Sequence, residues 1–355
     1  MFSVLLLTVA LAGGQNSPRV GMLEQDGWAA IKAGNLPAAD AAFREAVALD
    51  QKNAWLRLGA GTVAFLQRRD TDAKAHLEQA LALDPKLTPA RAQLAQVVRR
   101  QGDFQEAIRQ YEVVVAEMPD DASVRATLDR WMRERDLHER MRLEVGEFFT
   151  VSFQGPENAA MAARALDSLN RAYWRICETL SAFPQKSVPV VLYTSEQFRD
   201  ITRAPQWAAA AFDGIIRVPV QGADEKGEDL DRVLAHEFAH ALIRSLATRN
   251  LPTWLNEGLA SVLESESGGL EWAMKFVDKA GFKPDLRRLG APFSRLSGGD
   301  AQLAYATSAQ AARRLLDEAG GAAVAALLRD LGDGVEFETA FERRIQRSFA
   351  DFASQ

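Results

Sequence analysis

His236-Glu237-Phe238-Ala239-His240 sets two imidazoles four residues apart, with a carboxylate beside the first. On a helix, residues four apart share one face, so both rings can reach the same ion. Glu237 is one residue round from His236 and points beside that ion, where a carboxylate can take a proton from activated water. The chain has only 4 histidines in 355 residues, and random placement gives roughly 0.003 such matches. The chemistry implied is metal-assisted hydrolysis, with a single Zn2+ as the default ion for His/His/Glu with an open position. A catalytic zinc keeps three protein ligands and leaves a fourth position for water. No histidine follows His240; the other two are His76 and His138. The best-placed carboxylate is Glu257, in Pro252-Thr253-Trp254-Leu255-Asn256-Glu257-Gly258-Leu259-Ala260. Pro252 suits the start of a second helix because it has no amide hydrogen to donate. Glu257 falls in the second turn of that helix, on a segment that must double back through Thr248-Arg249-Asn250. Glu264, Glu266 and Glu271 are competitors, beyond the point where an antiparallel helix passes the histidines.

The elements around these residues read as α+β. Glu147 to Phe153 reads as a strand, and Pro156 to Ser181 as a long amphipathic helix with Leu166, Leu169, Tyr173 and Ile176 at helical spacing. Val188 to Thr194 is a strand rich in β-branched residues, and Ser195 to Thr202 a short helix with a serine cap. Ile215 to Val220 is a strand ended by Gln221-Gly222. Leu230 to Leu246 carries the histidines, and the chain beyond Gly269 is helical, with breaks at Gly298-Gly299 and Gly320-Gly321.

Upstream, from Arg19 to Asp120, the sequence repeats every 34 residues. Gly27, Gly61 and Ala95 coincide, as do Ala39, Ala73 and Ala107, where two helices approach closely. Phe43, Leu77 and Tyr111 fill one large apolar position, and Ala46, Ala80 and Val114 another. Pro85 and Pro119 end second helices, while Gln51 departs from the pattern. This resembles the tetratricopeptide repeat (TPR): three repeats over 19–120, enough to bury a continuous core. Trp28 and Trp55 lie in the first helices, at core rather than groove spacing. Residues 121–146 read as a charged helix that caps and connects, and 147–355 as the second domain.

Composition narrows the function classes. Net charge is −6 with no basic stripe, which argues against nucleic acid. The single cysteine, Cys177, cannot form an intrachain disulfide and reads as a buried thiol. Residues 1–12 form an apolar run of signal-peptide length, with Ala10-Leu11-Ala12 as a small-x-small cleavage site, so an exported, periplasmic or secreted protein is expected. The positive residues that usually open such a segment are missing. No other stretch is long enough to span a membrane.

HEFAH followed by WLNEGLA resembles the gluzincin arrangement, in which two histidines of HExxH and a glutamate from a second helix hold zinc. More closely, the run from about Glu147 onward is similar to bacterial peptidase MA-like domains that often follow TPRs. The matching stretches are Phe153-Gln154-Gly155-Pro156, Val188 to Tyr193, Phe212 to Pro219, the two helices, and Ala304-Tyr305-Ala306-Thr307-Ser308. The His-to-Glu spacing is a little shorter than in thermolysin-type enzymes, which implies a tighter connection and removes no ligand.

The resemblance implies an all-α TPR solenoid followed by a zincin-like α+β metallopeptidase domain, and zinc-dependent hydrolysis of a peptide or protein. Glu237 would be the general base, and Tyr305 would match the tyrosine that stabilises the oxyanion; packing on an apolar helix face is its other reading. Gly214-Ile215-Ile216 would form a sheet edge that pairs with substrate backbone. The TPRs would dock a partner or the substrate. The alternative is a TPR scaffold whose zincin domain binds metal without turnover.

Overall fold

The computed structural model describes residues 17–155, 158–202, 211–212, 214–219, 227–247, 251–264, 284–290 and 298–354, with positions 273, 275–277, 293 and 296. The apolar run at 1–12, the expected turn at 248–250, Gln221-Gly222, Glu266 and Glu271 lie outside the described residues. The chain divides after Arg135 into two compact units.

The first unit is a row of helix hairpins. Helices α1 (Pro18–Ala33) and α2 (Leu36–Leu49), α3 (Ala54–Leu66) and α4 (Asp70–Leu83), and α5 (Thr88–Arg100) and α6 (Phe104–Glu117) form three hairpins at the 34-residue period. The 34-residue pattern is a pattern of contacts. A Cβ on Gly27 would stand 2.6 Å from the Phe43 ring, and one on Gly61 would stand 2.8 Å from Leu77, the same pair one repeat later. The small residue is therefore the socket for the large one. Gly59, from the next hairpin, closes on the other side of Phe43, where a Cβ would meet the ring at 2.1 Å. Asn35, Asn53 and Asp103 cap their helices by accepting backbone N–H bonds.

Helix α7 (Ala122–Glu139) continues the phase, for α3, α5 and α7 begin at residues 54, 88 and 122. Its Trp131 ring lies 4.6 Å from that of Tyr111. Its fully buried Glu134 accepts from the Arg99 Nε–H at 3.0 Å, and the Arg99 guanidinium lies over Trp131. The segment expected as a capping and connecting helix over 121–146 is helical only over Ala122–Glu139, in the phase of a further first helix, and the chain then turns into a strand.

The second unit carries a five-stranded sheet in the order β1 (Met141–Val145), β2 (Phe149–Gln154), β3 (Val188–Tyr193), β5 (Ile216–Pro219), β4 (Ala211–Phe212). β2, β3 and β5 run parallel, while β1 and β4 pair antiparallel at the two edges. Alternation in β2 turns Phe149, Val151 and Phe153 into the core beneath α8 (Ala159–Leu180) and α10 (Gly227–Leu246). There Phe149 meets Phe238 edge-on at 5.1 Å. The opposite face, with Val191 and Tyr193, packs on α9 (Ser195–Thr202) through Phe198 and Ile201. Helices α11 (Thr253–Leu263), α12 (Gly298–Ala319), α13 (Gly321–Gly332), α14 (Phe337–Ile345) and α15 (Phe349–Ala353) complete the unit. Gly298-Gly299, expected as a helix break, opens α12.

One expectation fails here. The strand before the HExxH helix was to be the sheet edge. β5 instead lies inside the sheet, with Ile216 between Val190 and Phe212. Gly214 and Ile215 precede the strand. The reason is β4: two residues too short to register as a strand in sequence fold back and occupy the edge.

Candidate metal centre

Helix α10 is buried almost all round. Leu234, Ala235, Phe238, Ala239, Leu242 and Ile243 face the core, so His236 and His240 are held on a packed rod rather than a loop. Helix α11 is anchored at its first two residues. The Thr253 and Trp254 N–H groups, which have no partner within the helix, donate to Gly290 O and Leu289 O at 3.2 and 3.0 Å. The Trp254 ring stacks on Phe349, with centroids 5.8 Å apart. Further along, α11 passes so close to α12 that a Cβ on Gly258 would lie 2.3 Å from Ser308 O and 3.0 Å from Ala312 Cβ. Gly258→Ala is therefore expected to cost about 2–3 kcal/mol of stability, because a backbone carbonyl cannot move aside cheaply. It should also loosen metal retention, since Glu257 is its neighbour. Denaturant unfolding and metal analysis measure the two effects.

These constraints bring the three expected donors together. The Glu257 Oε2 lies 3.5 Å from His240 Nε2 and 4.0 Å from His236 Nε2. One donor atom from each residue lies within 4.8 Å of the others. A tetrahedral zinc about 2 Å from each donor needs donors about 3.3 Å apart. The observed separations are a small side-chain adjustment from that, so the set fits the ion.

The outer nitrogens are equally engaged. His236 Nδ1 lies 2.8 Å from Glu264 Oε2, and Arg232 holds the other Glu264 oxygen at 3.3 Å. His240 Nδ1 lies 3.1 Å from Asn256 Oδ1, while Asn256 Nδ2 donates to Glu257 Oε1 at 3.1 Å. Because the amide nitrogen must face the carboxylate, its oxygen must accept, so the proton of His240 sits on Nδ1. Glu264 fixes the His236 proton in the same way. Both Nε2 lone pairs are left facing Glu257, the arrangement in which hydrogen-bonded imidazoles ligate metals. Glu264, a competitor for third ligand on sequence, thus stands on the far side of His236. Sequence reasoning misses Asn256; for Glu264, spacing places it seven residues after Glu257, two turns along the same helix face, without telling which side of His236 it meets.

Electrostatics favours a cation here. Burial opposes ionisation of Glu257, but His240 and then His236 outweigh it and hold the carboxyl at about 2. For His236, burial lowers the pKa, and the bond to Glu264 with the charges of Glu237, Glu264 and Glu257 more than reverses this. Glu237 is buried beside the pair. Tyr305, on α12, packs edge-on against Phe293 at 5.2 Å. Burial, then the carboxylates of Glu257 and Glu237, push its phenol well above the ordinary value, so it stays a protonated donor.

Comparison with known proteins agrees with both units. Residues 170–346 match the Peptidase MA superfamily, and residues 64–130 match the tetratricopeptide repeat. Cellulose synthase operon protein C of Komagataeibacter xylinus is 37% identical over 84 residues, a match covering 24% of this chain and 6% of that protein. The first TPR of Spaghetti (RPAP3) bound to an HSP90 peptide aligns at 19% identity with a TM-score of 0.33, over 34% of this chain and 98% of that one. The chain is a TPR-containing protein with a peptidase MA-like domain.

Proposed function

We propose that the second unit is a zinc-dependent peptidase that hydrolyses amide bonds in a peptide or protein. The observation that carries this is the convergence of His236 Nε2, His240 Nε2 and Glu257 Oε2 while both Nδ1 atoms are held from behind. Zinc bound by these three side chains supplies Lewis-acid chemistry, polarising a carbonyl and drawing the pKa of water towards about 7. Glu237 takes the proton of the attacking water and delivers it to the leaving amine. Glu264, with Arg232 behind it, and Asn256 keep the imidazoles in the ligating tautomer. Tyr305 donates its hydroxyl hydrogen to the oxyanion. The TPRs dock a protein partner or the substrate. The apolar run at 1–12 supports export, and among the described residues no helix is long and apolar enough to cross a membrane.

The test is metal analysis of the purified protein with a cleavage screen on a peptide library. Zinc near one per chain with cleavage supports the reading. Zinc without cleavage of any peptide, with tight partner binding by the TPR unit, favours the silent scaffold. Tyr305→Phe should lower kcat by about 10² with little change in KM, because the bond forms chiefly in the transition state. Stability should hold, since the ring still packs on Phe293. An unchanged kcat leaves Tyr305 as packing only.

A further inference from the structure

β1 is a five-residue strand, Met-Arg-Leu-Glu-Val, bonded to β2 on one side and, among the described residues, to nothing on the other. Leu143 and Val145 are 62% and 73% exposed, more than any core role allows. Natural edge strands are usually blunted by proline, a bulge or brevity. β1 has none of these: its register with β2 runs unbroken from Met141↔Gln154 to Val145↔Thr150.

The direction of its free backbone groups follows from the hairpin. Gly146 N–H donates to Phe149 O at 2.9 Å. Alternation along an antiparallel ladder then turns the N–H and C=O of Glu144 and Arg142 towards β2. Those of Met141, Leu143 and Val145 point outward, unpaired among the described residues. The side chains alternate as well. Met141, Leu143 and Val145 share one face of the sheet, and Arg142 and Glu144 the other. Both charged residues are exposed, and among the described residues neither makes an ion pair within the chain.

This strand is complementary to itself. We propose that β1 pairs antiparallel with β1 of a second copy of this chain, about a two-fold axis through Leu143. Leu143 then faces its own counterpart, with both hydrogen bonds exchanged between the two residues. Met141, half-buried against the α9 side of the sheet, faces Val145 of the other copy, so the exposed Leu143 and Val145 are each covered by an apolar residue. Arg142 faces Glu144 of the other copy, twice. Edge charges ordinarily keep strands apart, but these have opposite sign and sit symmetrically about the central residue, so the two-fold turns them into pairs.

Sedimentation of the full chain across a concentration series tests this. The wild type should dimerise. Arg142→Glu and Glu144→Arg each place like charges opposite one another at both pairs, and each should raise the dimer Kd about tenfold or more. An equimolar mixture of the two variants should dimerise again, because every cross-strand pair is then opposite in sign; this also shows that both variants are folded. Leu143→Cys should form an interchain disulfide on mild oxidation, since facing residues in a hydrogen-bonded pair have Cα atoms about 5.5 Å apart. The native thiol would not compete, as Cys177 is buried with its pKa pushed up to about 12 by that burial. A wild type that stays monomeric throughout the series overturns the proposal. So does a dimer indifferent to both reversals, which would place the interface elsewhere.

Discussion

Glu257→Ala is expected to empty the metal centre. Two imidazoles alone hold zinc poorly, and Glu257 is the one anion of the three proposed ligands, with a carboxyl held at about 2 and so ionised throughout the working range. Affinity should fall by more than about 100-fold, whereas Glu264→Gln or Asn256→Ala, which remove only the supports of His236 and His240, should cost about 10- to 100-fold. Metal analysis after dialysis ranks the three. Full zinc in Glu257→Ala would mean that another carboxylate, Glu264 first, serves as ligand. Acid should act in the same direction. His236 must shed its proton to ligate, and its pKa is raised, so it keeps that proton to higher pH than an ordinary histidine. Zinc loss should therefore begin at a higher pH than the usual histidine range implies, and protons and metal should compete measurably in a titration.

Glu237→Gln separates catalysis from metal binding. The amide keeps the shape of the side chain and removes only its basicity, so zinc content and unfolding midpoint should match the wild type. Turnover should drop by about 10²–10⁴, the usual contribution of a positioned general base. The measurement is kcat on whichever library peptide the wild type cleaves, with zinc quantified in the same preparation. Activity surviving in a fully metallated variant would move the base elsewhere and leave Glu237 as a charge that holds the protons of its neighbours.

Much of this centre could be read from the chain. The HExxH spacing, the proline that opens α11, and the glutamate in its second turn are local facts, and local facts survive folding. The TPR phase was equally legible, since each small residue answers a large one at fixed offset. What escaped depends on distant partners. Asn256 acquires its role only because α10 lies within reach of it. Glu264 could not be told from a ligand until the side of His236 it approaches was known. β1 was read as helix because five residues of alternating charge and apolarity extend a charged helical run without a break signal. β4, at two residues, is shorter than any periodicity can register. Its presence moves β5 off the edge, so a substrate strand would have to find its backbone partners elsewhere.

Helix α7 carries a consequence for how such proteins diversify. It holds the phase of a first TPR helix, and its Trp131 lies against Tyr111 of the hairpin before it. Each repeat contacts only its neighbours. Recombination that duplicates or deletes whole 34-residue blocks upstream of α7 would leave this junction, and every residue of the metal centre, unchanged. The length of the solenoid and the chemistry of the peptidase-like unit are thus free to evolve on separate schedules.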